Sequence, residues 1–207
     1  MKKIVCYGDS NTFGFNPKDG SRYDENIRWT DLLQKNLGAE YEVLNEGMCD
    51  RTGFVNNPKG FIFSAPQHFP EFISQSENID LLILWIGTND LQFLYNISSD
   101  KMGKGLEDMI KLAQTKAKNI IIIPPVILDE RILDGYFRCQ FDEISITKSI
   151  EVENLYKAVA KKYCCKLFDV NEFVKPSDFD GLHYDEISHK IIADKLYDFI
   201  INNNNLC

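Results

Sequence analysis

The chain has 207 residues, is 44% hydrophobic and 26% charged, and carries a formal net charge of −8. That length suits one domain over 1–207 with a core of its own, and the ordinary composition excludes a disordered or coiled-coil protein. The acidic balance disfavours nucleic acid or an anionic membrane as the main partner and leaves a small neutral substrate open. No apolar run is long enough to span a membrane. The run after Met1-Lys2-Lys3 ends by Tyr7, too short for the core of a signal peptide, so a cytoplasmic location is expected. The six cysteines (Cys6, Cys49, Cys139, Cys164, Cys165, Cys207) form no Cys-x-x-Cys pair. They read as reduced thiols; no spacing supports a metal, and no cofactor is expected.

In chain order, Ile4-Val5-Cys6-Tyr7 reads as a buried strand, closed by the turn Gly8-Asp9-Ser10-Asn11-Thr12-Phe13-Gly14. A polar loop over 16–27 follows. The pattern then predicts a helix over Arg28–Gly38, with Trp29, Leu32, Leu33 and Leu37 on one face. Tyr41–Leu44 reads as a second strand running into a polar turn, Asn45–Thr52. A helix is expected over Gln67–Ser76. Leu81–Ile86, closed by Gly87, is the strongest strand signal, fit for burial on both faces. A helix over Lys104–Lys116 and a strand over Ile120–Ile123 come next. Mixed aromatic and charged residues over 126–147 suggest an excursion across the active face. Ser149–Tyr163 reads as a helix and Leu167–Val170 as a fifth strand, with Cys164-Cys165 at their junction. The loop Asn171–Leu182 leads to a last helix, Glu186–Ile201, with Ile187, Ile191, Ile192, Leu196 and Phe199 inward. A frayed tail is expected over Asn202–Asn205. Strands alternating with helices predict a three-layer α/β/α domain. Its five-stranded parallel sheet would be flavodoxin-like, with the first strand between the second and third.

The chemistry gathers at one edge of that sheet. Ser10, Gly47 and Asn89 each follow the C-terminal end of a predicted strand, and those three strands are neighbours in the proposed order. Acyl transfer needs a nucleophile and donors aimed at a developing oxyanion. Ser10 fits the first; the N–H groups of Ser10 and Gly47 and the Asn89 amide fit the second. The plainer alternatives are a turn for Gly8-Asp9-Ser10, a turn glycine at 47, and a cap or Asx turn at Asn89. For a base there are three histidines. His68 opens a helix, and His189 sits among charges in the last helix and reads as solvated. His183 has Asp180 three residues before it, a spacing that lets the carboxylate hold Nδ1 while Nε2 faces the serine; an exposed loop histidine and a capping aspartate are the alternatives. His183 must cross three strand spacings, about 14 Å. The twelve residues from Val170 reach about 40 Å when extended.

Four blocks in this order resemble the GDSL, or SGNH, serine esterases and lipases: Gly8-Asp9-Ser10, Asn45-Glu46-Gly47, Gly87-Thr88-Asn89-Asp90 and Asp180-Gly181-Leu182-His183. Arg28-Trp29-Thr30, and Asn45-Glu46-Gly47 with Arg51-Thr52, resemble the bacterial arylesterase and acyltransferase branch. The resemblance implies the SGNH hydrolase fold, a Ser10–His183–Asp180 triad and an oxyanion hole from Ser10 N–H, Gly47 N–H and Asn89. Two positions depart from it: Asn11 follows the serine where an aliphatic residue is usual, and Asp50 stands where a second glycine is common. The expected activity is metal-independent hydrolysis of small acyl esters of aryl, alkyl or sugar alcohols. The alternatives are an acyltransferase with the same triad, a non-catalytic carbohydrate-binding module, and a flavodoxin-like cofactor binder using the Ser10 loop for phosphate. A homo-oligomer stays open, with 16–27 and 126–147 as contact surfaces.

Overall fold

The computed structural model describes residues 1–203. Strand β1 (Lys2–Gly8) lies inside the sheet, and its run Ile4 to Tyr7 is at most 2% exposed. Polar and apolar residues do not alternate there because both faces of a parallel sheet are covered. β1 pairs in parallel with β2 (Tyr41–Gly47) and with β3 (Ile79–Trp85). β4 (Ala117–Ile123) and the two-residue β5 (Lys166–Leu167) complete an all-parallel sheet in the expected order β2-β1-β3-β4-β5. The helices are α1 (Ser10–Phe13), α2 (Trp29–Leu37), α3 (Ala65–Gln75), α4 (Ser99–Ala113), α5 (Glu143–Lys162) and α6 (Glu186–Asn202). α2 packs on α6 and α4 on α5; right-handed crossovers put the two pairs on opposite faces of the sheet. Among the described residues no helix is long and apolar enough to cross a membrane.

The strands fall where the apolar runs predict, while several boundaries move for local reasons. β2 continues through Asn45 and Glu46 to Gly47, paired with β1 to its end. α4 begins five residues before the expected Lys104, because Ser98 caps it by accepting the Lys101 N–H. α5 begins at Glu143 rather than Ser149, started by a capping box between Asp142 and Ser145. β5 ends early because Asp169 accepts the Asn171 N–H and turns the chain into a short 3₁₀ helix, Val170–Glu172. Cys164 and Cys165 do sit between α5 and β5. Of the predicted tail, Asn202 closes α6, while 204 and 205 lie outside the described residues.

Of the expected inner face of α6, Ile192 and Leu196 are buried and Ile191 and Phe199 pack half-buried against the core, but Ile187 does not, and His189 joins the face instead. Ile187 is 70% exposed, and the buried positions are Ser188, His189, Ile192, Ala193, Leu196 and Ile200. The helix packs on the first turn of α2, and there a polar group is needed. Arg28 gives α2 no side-chain cap, and the Trp29 N–H donates instead to His189 Nδ1 at 3.2 Å. His189 is therefore a core residue, not the solvated one its neighbours suggest; it is 1% exposed and meets the Tyr23 ring edge-on. Burial pushes its pKa down to about 4. The folded state thus holds His189 neutral, whereas the unfolded chain takes up a proton near ~6.5. Stability from this group is complete above that value and drains away as pH falls toward 4, by about 3 kcal/mol in all. His189→Asn keeps an acceptor for Trp29 and does not titrate. Its melting temperature should depend less on pH than that of the wild type between pH 7 and 4.5; parallel curves would show that His189 does not carry the acid sensitivity.

Candidate active site

The site is built at the C-terminal ends of β1, β2 and β3. β1 ends at Gly8, where a Cβ would sit 2.1 Å from Thr12 Oγ1 and 2.3 Å from Trp85 O, so only glycine admits the turn. Asp9 then caps α1 by accepting the Asn11 N–H at 3.1 Å. That single turn of helix carries Ser10 at its first position. Burial pushes the Asp9 carboxyl above its usual range. Asn11, the departure after the serine, is 1% exposed. Its Nδ2 donates to Leu182 O at 3.4 Å, and its own carbonyl accepts from Trp29 Nε1 at 3.0 Å. The nucleophile turn is thereby tied to α2 and to the peptide before His183.

Ser10, His183 and Asp180 form one hydrogen-bonded line. His183 Nε2 lies 2.8 Å from Ser10 Oγ, and Nδ1 lies 2.7 Å from Asp180 Oδ2. The other Asp180 oxygen accepts the N–H groups of Leu182 and His183, each at 2.9 Å, with Ser177 Oγ at 3.4 Å. Burial alone would raise the Asp180 pKa; the hydrogen bonds and charge of His183 and the two backbone donors bring it below the usual range. The His183 ring packs against Phe15 and Phe137, at centroid distances of 4.3 and 5.4 Å, and those two rings meet each other edge-on at 6.4 Å.

Asn89 opens a 3₁₀ turn after β3. One N–H of its amide donates to Arg51 O at 3.0 Å, and its oxygen accepts from Gln92 Nε2 at 3.1 Å. This orients the amide and leaves its second N–H for the cavity that Asn89 lines with Ser10 and His183. Gly47 is not brought into that cavity. Its N–H donates to Asn45 Oδ1 at 2.9 Å, and a Cβ there would meet Phe13 N at 2.2 Å. Its place is to let β2 pass against the nucleophile turn, so the expected oxyanion donor at Gly47 is corrected. Asp50 lines the cavity instead, with left-handed backbone at φ 61°, and no acceptor among the described residues takes its N–H. The signal was the residue type at the position of the missing glycine: aspartate is among the few side chains that tolerate this conformation.

The loop carrying Asp50 is held from both sides. Buried Arg51 donates to the carbonyls of Gly8, Glu46 and Ile62 and stacks on Tyr7. Buried Asp90 accepts the N–H groups of Gly53, Phe54 and Val55. Cys49, beside Asp50, is no rival nucleophile: burial and the Asp50 charge push its thiol up to about 12, so thiolate is scarce at neutral pH. The cavity holds about 620 Å³, and aromatic side chains (Phe15, Phe137, Phe141) share its lining with charged ones (Lys18, Asp19, Lys59). Residues from the 126–147 excursion do reach the active face. Among the described residues no group of three or more His, Cys, Asp or Glu is placed to hold a metal ion.

A parallel α/β domain with a serine, a histidine and an aspartate aligned beyond its strand ends has the build of a hydrolase. The chain belongs to the GDSL-like lipase/acylhydrolase family, whose model matches residues 6–191. No curated protein sequence matches it. Solved structures do: the aryl esterase of M. smegmatis at 24% identity and TM-score 0.89, over 98% of this chain and 99% of that one. A carbohydrate acetylesterase from Sinorhizobium meliloti gives the same identity, score and coverage. A lipolytic protein of the G-D-S-L family from Veillonella parvula is 19% identical, with a TM-score of 0.70 over 97% of this chain and 99% of that one. At these identities the structures establish the fold.

Proposed function

We propose that the protein hydrolyses small carboxylic esters through an acyl-enzyme on Ser10. The observation that carries this reading is the unbroken line from Ser10 Oγ through His183 to Asp180, facing a cavity. His183 Nε2 takes the serine proton as Oγ attacks the ester carbonyl, and returns it to the departing alcohol. Asp180 holds the imidazole with its proton on Nδ1. The N–H groups of Ser10 and Asp50 and the free amide N–H of Asn89 stabilise the oxyanion. Water then releases the acid. A cavity of about 620 Å³ with charged walls suits short acyl groups on aryl, alkyl or sugar alcohols better than long lipid chains. Two of the similar solved structures are named an aryl esterase and a carbohydrate acetylesterase, in keeping with aryl and sugar esters.

The test is covalent. A serine-reactive phosphonate should add one equivalent, abolish p-nitrophenyl acetate turnover, and map by peptide mass to Ser10, with chelator present throughout. Labelling elsewhere with turnover intact would refute the reading. Asn89→Ala should lower kcat about 10²–10³-fold with a small change in KM, because its N–H meets only the charged state. An unchanged kcat would remove Asn89 from the oxyanion hole.

The aromatic cluster of Phe15 and Phe137 against His183, itself 3% exposed, favours a second outcome at the release step. The rings offer apolar surface beside the base for the carbon chain of an alcohol, so an added alcohol should compete for the acyl group, and product analysis with and without alcohol reads the partition.

A further inference from the structure

Asp50 brings a carboxylate to the cavity that Ser10 and Asn89 line, and its N–H is one of those assigned above to the oxyanion hole. A negative charge there opposes the reaction unless something answers it, and a lysine does. Lys59 Nζ lies 2.7 Å from Asp50 Oδ2, and both residues line the cavity with Ser10, Asn89 and His183. The pairing is held from below by one buried side chain. Asn57, 6% exposed, donates Nδ2 to Asp50 O at 2.7 Å and accepts the Lys59 N–H on Oδ1 at 2.9 Å. The Gly60 N–H closes the turn on Asn57 O. An exposed ion pair alone does little, but here Asn57 fixes the backbone of both partners at the rim of the site.

We infer that Lys59 is a positioning residue for the hydrolysis: clamped by Asn57, it neutralises the Asp50 carboxylate so that the Asp50 N–H can serve the developing negative charge. This rests on the ester-hydrolysis reading above. A glycine at position 50 would supply the N–H with no charge to cancel; aspartate supplies it with one, and the 57–60 turn carries the compensation. The effect is electrostatic and acts on the transition state, so it belongs in kcat and should fade with screening.

The experiment measures kcat and KM for p-nitrophenyl acetate, an uncharged substrate, at low salt and at 1 M salt. The proteins are the wild type, Ser10→Ala, Lys59→Met, Asp50→Asn and the double variant. Asparagine is chosen at 50 because it also tolerates left-handed backbone. Lys59→Met should lower kcat roughly three- to tenfold at low salt, leave KM within about twofold, and recover in part at 1 M salt, where the Debye length is about 3 Å. In the Asp50→Asn background Lys59→Met should change kcat by less than about twofold, since the charge to be cancelled is gone. An undiminished kcat in Lys59→Met, or an equal loss from Lys59→Met in the Asp50→Asn background, would overturn the inference. Turnover that survives in Ser10→Ala would overturn the hydrolysis reading and this one with it. Turnover that needs Ser10 but ignores Lys59 would sink this one alone.

Discussion

Ser10→Ala should lower kcat for p-nitrophenyl acetate by about 10⁶-fold, the scale set by nucleophile removal in serine hydrolases. The residue left behind has no oxygen to attack the carbonyl, and His183 then has no proton to accept from it at 2.8 Å. The loss should not be total. The N–H groups of Ser10 and Asp50 and the Asn89 amide stay in place, and such donors with binding alone can retain 10³–10⁴-fold over water. KM should change little and the fold should hold, because Ser10 enters α1 through its backbone and Asp9, not Ser10, supplies the cap. Matching melting curves with turnover at background is the expected pair of results. A variant within tenfold of the wild type would mean that the acetyl group leaves by another route, and the non-catalytic alternative would then lead.

The framework was legible because its signals are periodic and its chemistry is adjacent. Six apolar residues from Leu81 to Ile86 fit no other place than a strand covered on both faces, and the order β2-β1-β3 brought the Ser10 and Asn89 turns together. The His183 loop was legible through Asp180, three residues away. What escaped depended on details that a pattern does not contain. Gly47 and Asp50 lie three residues apart, and which of them meets the cavity turns on one hydrogen bond from Gly47 to Asn45 and on the left-handed backbone at Asp50. His189 sits among charged neighbours in sequence and looks solvated. It is buried because the uncapped start of α2 needs an acceptor, a tertiary demand invisible from α6 itself. The early starts of α4 and α5 were written in Ser98 and Asp142, but Gly103 interrupts the helical pattern of the first, and Ile144, Ile146 and Thr147 weaken that of the second.

Asp180→Asn tests the most specific part of the geometry, and the hydrogen bonds around it dictate the outcome. In the wild type Oδ1 accepts two backbone N–H groups, from Leu182 and His183, while Oδ2 accepts from His183 Nδ1. An asparagine has one oxygen and one NH₂. The two backbone donors claim the oxygen, which turns the NH₂ toward Nδ1. The imidazole can then meet it only with a lone pair on Nδ1 and its proton on Nε2, the nitrogen 2.8 Å from Ser10 Oγ. In that tautomer His183 cannot take the serine proton, and the variant also lacks the charge that supports an imidazolium. By analogy with other serine hydrolases kcat should fall about 10⁴-fold, with KM nearly constant, since no substrate contact is removed. Melting should shift far less than an unpaired buried charge would cause, because the amide keeps both backbone bonds. Asp180→Ala would leave those two N–H groups without their acceptor and should therefore lose more stability than Asp180→Asn. A rate for Asp180→Asn within tenfold of the wild type would show that the position of the proton on His183 does not govern the reaction.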